Sequence, residues 1–305
     1  MGFYKTAISC TLLASLLALS GCGSMTAASA GDSLVRFDSD SSSSAASGAF
    51  NPGFELEALQ DTSDSFLGMR EMPEEYETEE SDEPGAVVEL EYDSPILDFG
   101  DGDGNGVNVV GTPTGETEKK SAMIYLPYGY DESRQYDIIY LMHGMTGTQY
   151  TFLGNGDKGQ DGSFKYVLDN MIAHGDMRPV IVVCPTISQS YETEEDIANG
   201  AAADICETLM PLVESTYSTY AETADSADFE KSRMHRCMAG FSMGGCDTWR
   251  VMWRYPQYFY YYNPNSMIID CNFQARIDKP TQNFVASLKT QGINSNSMRI
   301  YYGVG

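Results

Sequence analysis

A turn of Gly, Phe, Ser, Met, Gly and Gly at residues 240–245 constrains the fold of this chain more than any other segment. It lies between a predicted strand over residues 236–239 and a predicted helix over residues 246–255, which Pro256 ends. Small residues around a serine permit a sharp strand-to-helix turn, which lifts the serine hydroxyl clear of the sheet and beside the first amides of the helix. The pattern predicts that Ser242 is a nucleophile, with the Met243 N–H as one donor to an oxyanion.

The segments before this turn alternate between apolar strands and amphipathic helices. Residues 86–92 predict an edge strand, and residues 120–126, 138–142 and 180–184 predict further strands. Between them lie predicted helices over residues 164–174 and 196–217, the second bent or divided by Pro211. Buried strands that alternate with helices are typical of a parallel sheet covered on both faces. The sequence therefore predicts an α/β protein, a three-layer sandwich around a mostly parallel sheet.

The loop after residues 138–142 is the expected source of a second oxyanion donor. It begins with His143-Gly144-Met145, and we predict that the Met145 N–H is that donor. His143 lies about a hundred residues before Ser242, and we interpret it as holding this loop rather than as the base. His174 ends a helix and His235 opens the nucleophile strand, so both are interpreted as structural or exposed. No histidine follows Ser242 in the sequence.

Residues 120–130, 140–144 and 240–245 together resemble the esterase D and feruloyl esterase family of α/β hydrolases, and the resemblance extends over residues 85–305. It implies an acyl-enzyme on Ser242, an oxyanion hole from Met145 and Met243, and no metal or organic cofactor. The implied substrates are feruloyl (hydroxycinnamoyl) or acetyl esters of plant polysaccharide or oligosaccharide. Acyl transfer and siderophore-ester hydrolysis use the same scaffold and stay open.

The triad acid and base of that family follow the serine turn, and residues 298–305 look like the strand that precedes the acid. We expect a longer gene product that carries the last strand or strands, a helix, the acid and the base, so that these 305 residues alone are inactive. The alternative is a natural pseudoenzyme, a non-catalytic surface binding lipoprotein on a hydrolase fold. Asp247 lies on the helix after Ser242. Asp270 is placed at the end of a predicted strand, with a structural or substrate-facing role.

The first 21 residues predict a secretion signal, with Lys5 before an apolar run that is short for a membrane span. The following residues, Leu19-Ser20-Gly21-Cys22, resemble a bacterial lipobox. We therefore expect lipidation of Cys22 and anchoring on the outer face of a bacterial cell membrane, with a simple cleaved signal as the alternative.

Residues 22–84 are Ser-rich and then strongly acidic, which predicts a disordered tether between the anchor and the domain over residues 85–305. The chain carries a formal net charge of −26, which argues against nucleic acid as a partner.

Five cysteines beyond the signal show neither metal-ligand spacing nor a disulfide framework, so we expect small buried residues. They are Cys184, Cys206, Cys237, Cys246 and Cys271. Residues 101–106 match the first half of a calcium loop, but Thr112 replaces the expected bidentate glutamate. We favour a Gly/Asp hairpin turn there, and calcium binding stays open.

Overall fold

A computed structural model describes residues 72–100, 110–157, 159–267, 269, 278–293 and 297–300. The strands are β1 (Ala86–Asp98), β2 (Thr112–Leu126), β3 (Asp137–Met142), β4 (Val180–Cys184), β5 (Arg236–Phe241), β6 (Tyr261–Asn265) and β7 (Arg299–Ile300). The helices are α1 (Glu74–Thr78), α2 (Tyr150–Leu153), α3 (Ser163–Ala173), α4 (Glu194–Ala203), α5 (Met210–Thr216), α6 (Ser226–Lys231), α7 (Met243–Arg254) and α8 (Asp278–Thr290).

The described strands form one seven-stranded sheet in the order β1-β2-β4-β3-β5-β6-β7. Strands β4, β3, β5, β6 and β7 pair in parallel, whereas β2 is antiparallel to both of its neighbours. Strand β1 lies at an edge of the sheet, as its alternating sequence predicts. Strand β2 pairs with β4 only through Met123–Tyr125. Residues 112–122 of β2 therefore extend beyond the carboxyl ends of the parallel strands.

Alternate residues of the buried strands divide the core into two layers. Ile138 and Tyr140 of β3 join the larger layer, in which α4, α5 and α7 cover the sheet. Ile139 and Leu141 join the smaller layer, under α2 and α3. Because β3 and β4 are buried on both faces, they are apolar rather than alternating, apart from Asp137 at the start of β3. The predicted three-layer α/β sandwich with a mostly parallel sheet is confirmed.

The long helix predicted over residues 196–217 is divided. It consists of α4, a π-helical segment at Asp204–Leu209, and α5. Pro211 lies at the start of α5, where its missing N–H leaves the preceding turn without its ordinary hydrogen bond. The wider π turn accommodates this loss, and it places Asp204 where Tyr92, Ser94 and Lys120 all donate to its carboxylate.

Strand β6 lies earlier than the sequence predicts. It ends at Asn265, in parallel register with β5, rather than at Asp270, which lies outside the described residues. The apolar pair at residues 268 and 269 suggested a strand, whereas the two asparagines of β6 have poor strand propensity. Asn265 and Asn263 are nevertheless buried and hydrogen-bonded to each other, so tertiary contacts override that propensity.

Residues 72–84 correct the predicted tether boundary. They contain α1, whose Tyr76 is buried against the layer under α3, so the packed domain begins before Gly85. A single aromatic residue within a run of glutamates carried too little signal to predict this packing. The rest of the predicted tether, the predicted signal and Cys22 lie outside the described residues. Within the part of the chain that the structure describes, no helix has the length and apolar character needed to cross a membrane.

Candidate active site

Ser242 occupies a strained turn between β5 and α7. Its backbone angles are φ 55° and ψ −116°, in a region that residues with a side chain rarely adopt. Hydrogen bonds hold both sides of the turn. The Ser242 N–H donates to Asn265 O at 3.0 Å, and Ser242 O accepts from the N–H groups of Gly245 and Cys246 at 2.8 and 3.1 Å. Neighbouring elements therefore fix the conformation that raises this serine above the sheet.

The glycines around Ser242 are required because backbone segments approach each other closely. A Cβ at Gly240 would lie 2.1 Å from Gly244 O, and one at Gly244 would lie 2.2 Å from Met142 O. Both distances are far inside van der Waals contact, and the atoms that would be struck belong to the backbone. Consequently α7 can start directly above the ends of β3 and β5 only if these positions lack side chains.

The loop after β3 lies against the nucleophile. A Cβ at Gly144 would be 3.4 Å from Ser242 Cβ, and the Gly147 N–H donates to Gly144 O at 2.8 Å to close a turn. Met145 lies within that turn, and its side chain is exposed. The Met243 N–H opens α7, where the first amides have no partner within the helix. Both residues thus lie in segments beside Ser242, and their role as oxyanion donors stays a prediction.

His143 stabilises this loop through hydrogen bonds. It is buried, its Nδ1–H donates to Gly144 O at 2.7 Å, and its Nε2 lies 3.3 Å from Thr186 Oγ1. Burial, together with the nearby Lys120 charge, lowers the pKa of His143 below its ordinary value. The imidazole is therefore held neutral with both nitrogens occupied, and it forms no hydrogen bond with Ser242.

The other two histidines lie beside the amino ends of the parallel strands, at the edge of the sheet opposite to Ser242. His235 precedes β5, bonds through Nδ1 to Asp137 Oδ1 at 2.7 Å and stacks on Tyr220. His174 follows α3 and stacks on Tyr76. The sequence contains three histidines, all of them described, and none forms a hydrogen bond with Ser242. Ser242 thus lacks a histidine base among these residues.

The acid on the nucleophile helix is equally unsuited to orient a base. Asp247 is completely buried, and neither carboxylate oxygen has a hydrogen-bond partner among the described residues. Burial raises its pKa well above the ordinary value, although the Lys120 and Arg250 charges oppose this effect. No histidine lies beside it. The electrostatics of Asp247 therefore favour a neutral core carboxyl.

The cysteines are partly as expected. Cys184, Cys206 and Cys237 are free and buried, and burial raises the pKa of each thiol, so they are unreactive core residues. Cys246 contradicts the expectation, because it is buried on α7 and disulfide-bonded. The odd cysteine count and the absence of paired spacing concealed this bond.

Among the described residues, no group of three or more His, Cys, Asp or Glu side chains is arranged to hold a metal ion. The possible calcium loop over residues 101–106 lies outside them.

Comparisons with known proteins agree with this geometry. Residues 116–305, more than half of the chain, match the Esterase family model, described as "Putative esterase". Endo-1,4-beta-xylanase Y of Acetivibrio thermocellus is 41% identical over 155 residues, which cover 51% of this chain and 14% of that protein. An endo-1,4-beta-xylanase/feruloyl esterase of Xylanibacter ruminicola is 27% identical over 157 residues, which cover 47% and 19%. The chain thus spans less than a fifth of the length of these two relatives.

A solved structure extends the similarity to the fold. A serine-to-alanine mutant of the feruloyl esterase module from Clostridium thermocellum, complexed with sinapinate, superposes with a TM-score of 0.61 at 29% identity. The superposition covers 77% of this chain and 71% of that one. The family model, the α/β hydrolase fold and the serine turn agree with one another, and the chain belongs to the esterase family.

Proposed function

We propose that the domain is a serine carboxylic ester hydrolase that works through an acyl-enzyme on Ser242. The observation that carries this proposal is the strained turn of Ser242 directly beside the Gly144 loop. Strain of this kind persists only where the surrounding structure enforces it, and it is concentrated at functional sites. Membership of the esterase family and the feruloyl esterase fold similarity support the same reaction class.

In the proposed reaction, Ser242 Oγ attacks the ester carbonyl carbon while a base removes the hydroxyl proton. The carbonyl oxygen becomes an oxyanion and accepts hydrogen bonds from the Met145 and Met243 N–H groups. The C–O bond to the alcohol then breaks, and the alcohol leaves with a proton. Water attacks the acyl-enzyme in the same way, which releases the carboxylic acid and regenerates Ser242. None of the three histidines is placed to act as the base of this sequence.

We propose feruloyl (hydroxycinnamoyl) or acetyl esters of plant polysaccharide as the substrate class. The names of the relatives support this choice, since one is a xylanase and another a xylanase/feruloyl esterase. The strongly negative charge of the chain favours a neutral glycan over a polyanion. We further propose that Cys22 is acylated and holds the protein on the outer face of a bacterial membrane, where polymeric substrate is accessible.

A rescue experiment tests the reaction. Imidazole in solution can replace a histidine base, so hydrolysis of p-nitrophenyl acetate and methyl ferulate is measured with increasing imidazole. Subtracting the rate of Ser242→Ala removes hydrolysis by imidazole itself. We expect negligible Ser242-dependent turnover without imidazole and a clear Ser242-dependent rate with it. If no such rate appears at any imidazole concentration, the proposal fails, and the non-catalytic binding protein becomes the better account.

A further inference from the structure

The acidic segment that precedes β1 packs against α3. Tyr76 is only 8% exposed, its hydroxyl donates to Asp176 Oδ2 at 2.7 Å, and its ring stacks on His174 at 5.1 Å. Burial and the Asp176 carboxylate raise the pKa of Tyr76 to about 12, so this hydroxyl stays a donor at neutral pH. One end of the segment is therefore attached near the carboxyl end of α3.

Two polar contacts attach the rest of the segment. The Asn170 side-chain amide donates to Glu79 O at 2.9 Å, and the Gly85 N–H donates to Asp169 Oδ1 at 2.7 Å. Asp169 is itself fixed, because Tyr125 and Lys165 donate to its two carboxylate oxygens at 2.8 and 2.7 Å. Asp169 and Asn170 are buried side chains of α3, so the surface that receives the segment is built into the core.

The direction of α3 decides where this segment leads. α3 connects the parallel strands β3 and β4, so it runs opposite to them, and His174 at its end lies at the amino edge of the sheet. Ser242 follows β5 and lies at the carboxyl edge. The 11 residues of α3 span about 16 Å between these edges. Tyr76 is thus attached at the edge opposite to the nucleophile.

We propose that residues 72–84 form a strap that fixes where the preceding chain leaves the domain, at the amino edge of the sheet and away from Ser242. The strap itself does not depend on the proposed function. Its consequence rests on the proposed function: if Cys22 anchors the protein, the tether would leave the domain at the edge opposite to Ser242 and would not pass across the carboxyl edge where substrate binds. A segment that did not bind α3 would impose no such exit.

Cleavage by a glutamate-specific endoproteinase tests the attachment in the full chain. We expect cleavage after Glu77 and Glu79 to be at least about tenfold slower than in a free peptide of residues 72–84. Tyr76→Ala and Asn170→Ala should each raise the cleavage rate most of the way to that of the free peptide. The control Tyr128→Ala, which replaces an exposed tyrosine elsewhere, should leave the cleavage rate unchanged. Thermal unfolding of each variant checks that the domain stays folded. Equal rates in the protein and the peptide, or variants cleaved as slowly as wild type, would overturn the strap.

Spin-label distances test where the preceding chain leaves the domain. A nitroxide on a ketone-bearing amino acid at Glu74 avoids the native cysteines, and a second label replaces either Tyr128, before β3, or Met145, after it. All three positions are exposed. We expect the distance from Glu74 to Tyr128 to be the shorter and both distributions to be narrow. A shorter distance to Met145, or broad distributions, would contradict the proposed exit. Neither experiment measures hydrolysis, so failure of the strap and failure of the esterase activity are distinguishable.

Discussion

At the scale of single residues, the backbone of Ser242 carries strain that its neighbours hold in place. Its φ of 55° is one of three positive values among the described non-glycine residues, the others being Ala224 and Ser266. Ser266 directly follows Asn265, whose carbonyl accepts the Ser242 N–H. Two of the three strained residues therefore meet where the Ser242 turn contacts the end of β6.

Glycine should be tolerated better than alanine at position 242. Glycine adopts positive φ without a steric cost, although it loses more conformational entropy on folding. We expect Ser242→Gly to unfold with a free energy about 1 kcal/mol higher than Ser242→Ala, which removes the hydroxyl but keeps the strain. Urea unfolding of both variants measures the difference. Equal stabilities would mean that the turn is not strained in solution.

His143 should make the protein less stable in mild acid. Its folded-state pKa is lowered by burial, so the unfolded chain binds the proton more readily than the folded one. The stability that depends on neutral His143 is present above the unfolded pKa, near 6.5, and is lost as the pH falls through the folded pKa. Between pH 7 and pH 5, wild type should therefore lose more unfolding free energy than His143→Gln. Parallel pH profiles of the two proteins would refute this reasoning.

At the scale of elements, the site depends on how closely α7 approaches β3, β5 and β6. Gly240, Gly244 and Gly245 each lack room for a Cβ because backbone of a neighbouring element lies within 2.1 to 2.6 Å of that position. The Trp249 indole N–H donates to Met267 O at 3.0 Å and so ties the next turn of α7 to the segment after β6. The elements position Ser242 through these backbone contacts.

Alanine at Gly244 should therefore be far more damaging than alanine at Gly144. The first substitution forces a methyl group into the Met142 carbonyl, and we expect it to cost about 2 kcal/mol or more. The second meets its nearest atom at an ordinary contact distance of 3.4 Å, and we expect less than about 0.5 kcal/mol. Calorimetry of both variants tests this, and comparable losses at the two positions would show that the close approach is absent.

How far the sequence predicts each element depends on how local its signal is. Strands β3, β4 and β5 and the serine turn were predictable, because apolar runs and glycines record burial and close approach directly. Strand β6 lies earlier than predicted because its asparagines are held by contacts between elements, such as the Asn265 carbonyl with the Ser242 N–H, which no local pattern indicates. The strap depends on partners distant in sequence, such as Tyr76 with Asp176, so no window around either residue reveals it.

At the scale of the whole molecule, the two edges of the sheet have different roles. The carboxyl edge holds Ser242, the Gly144 loop and buried His143, whereas the amino edge holds His174, His235 and the strap. Ser242 and the Gly144 loop therefore lie on one side, and none of the three histidines forms a hydrogen bond with Ser242. If Ser242 is the nucleophile, as we propose, its base is none of these histidines.

Mass spectrometry of the protein after exposure to a p-nitrophenyl alkylphosphonate tests that account most directly, because the reagent modifies serines that can attack and be stabilised by an oxyanion hole. We predict a single phosphonylated residue, Ser242, formed slowly in buffer and about 100-fold faster with imidazole, the low end of what a general base contributes. Ser242→Ala should remain unmodified. Rapid modification without imidazole would show that a base has been overlooked, and absence of modification at Ser242 even with imidazole would contradict its assignment as the nucleophile.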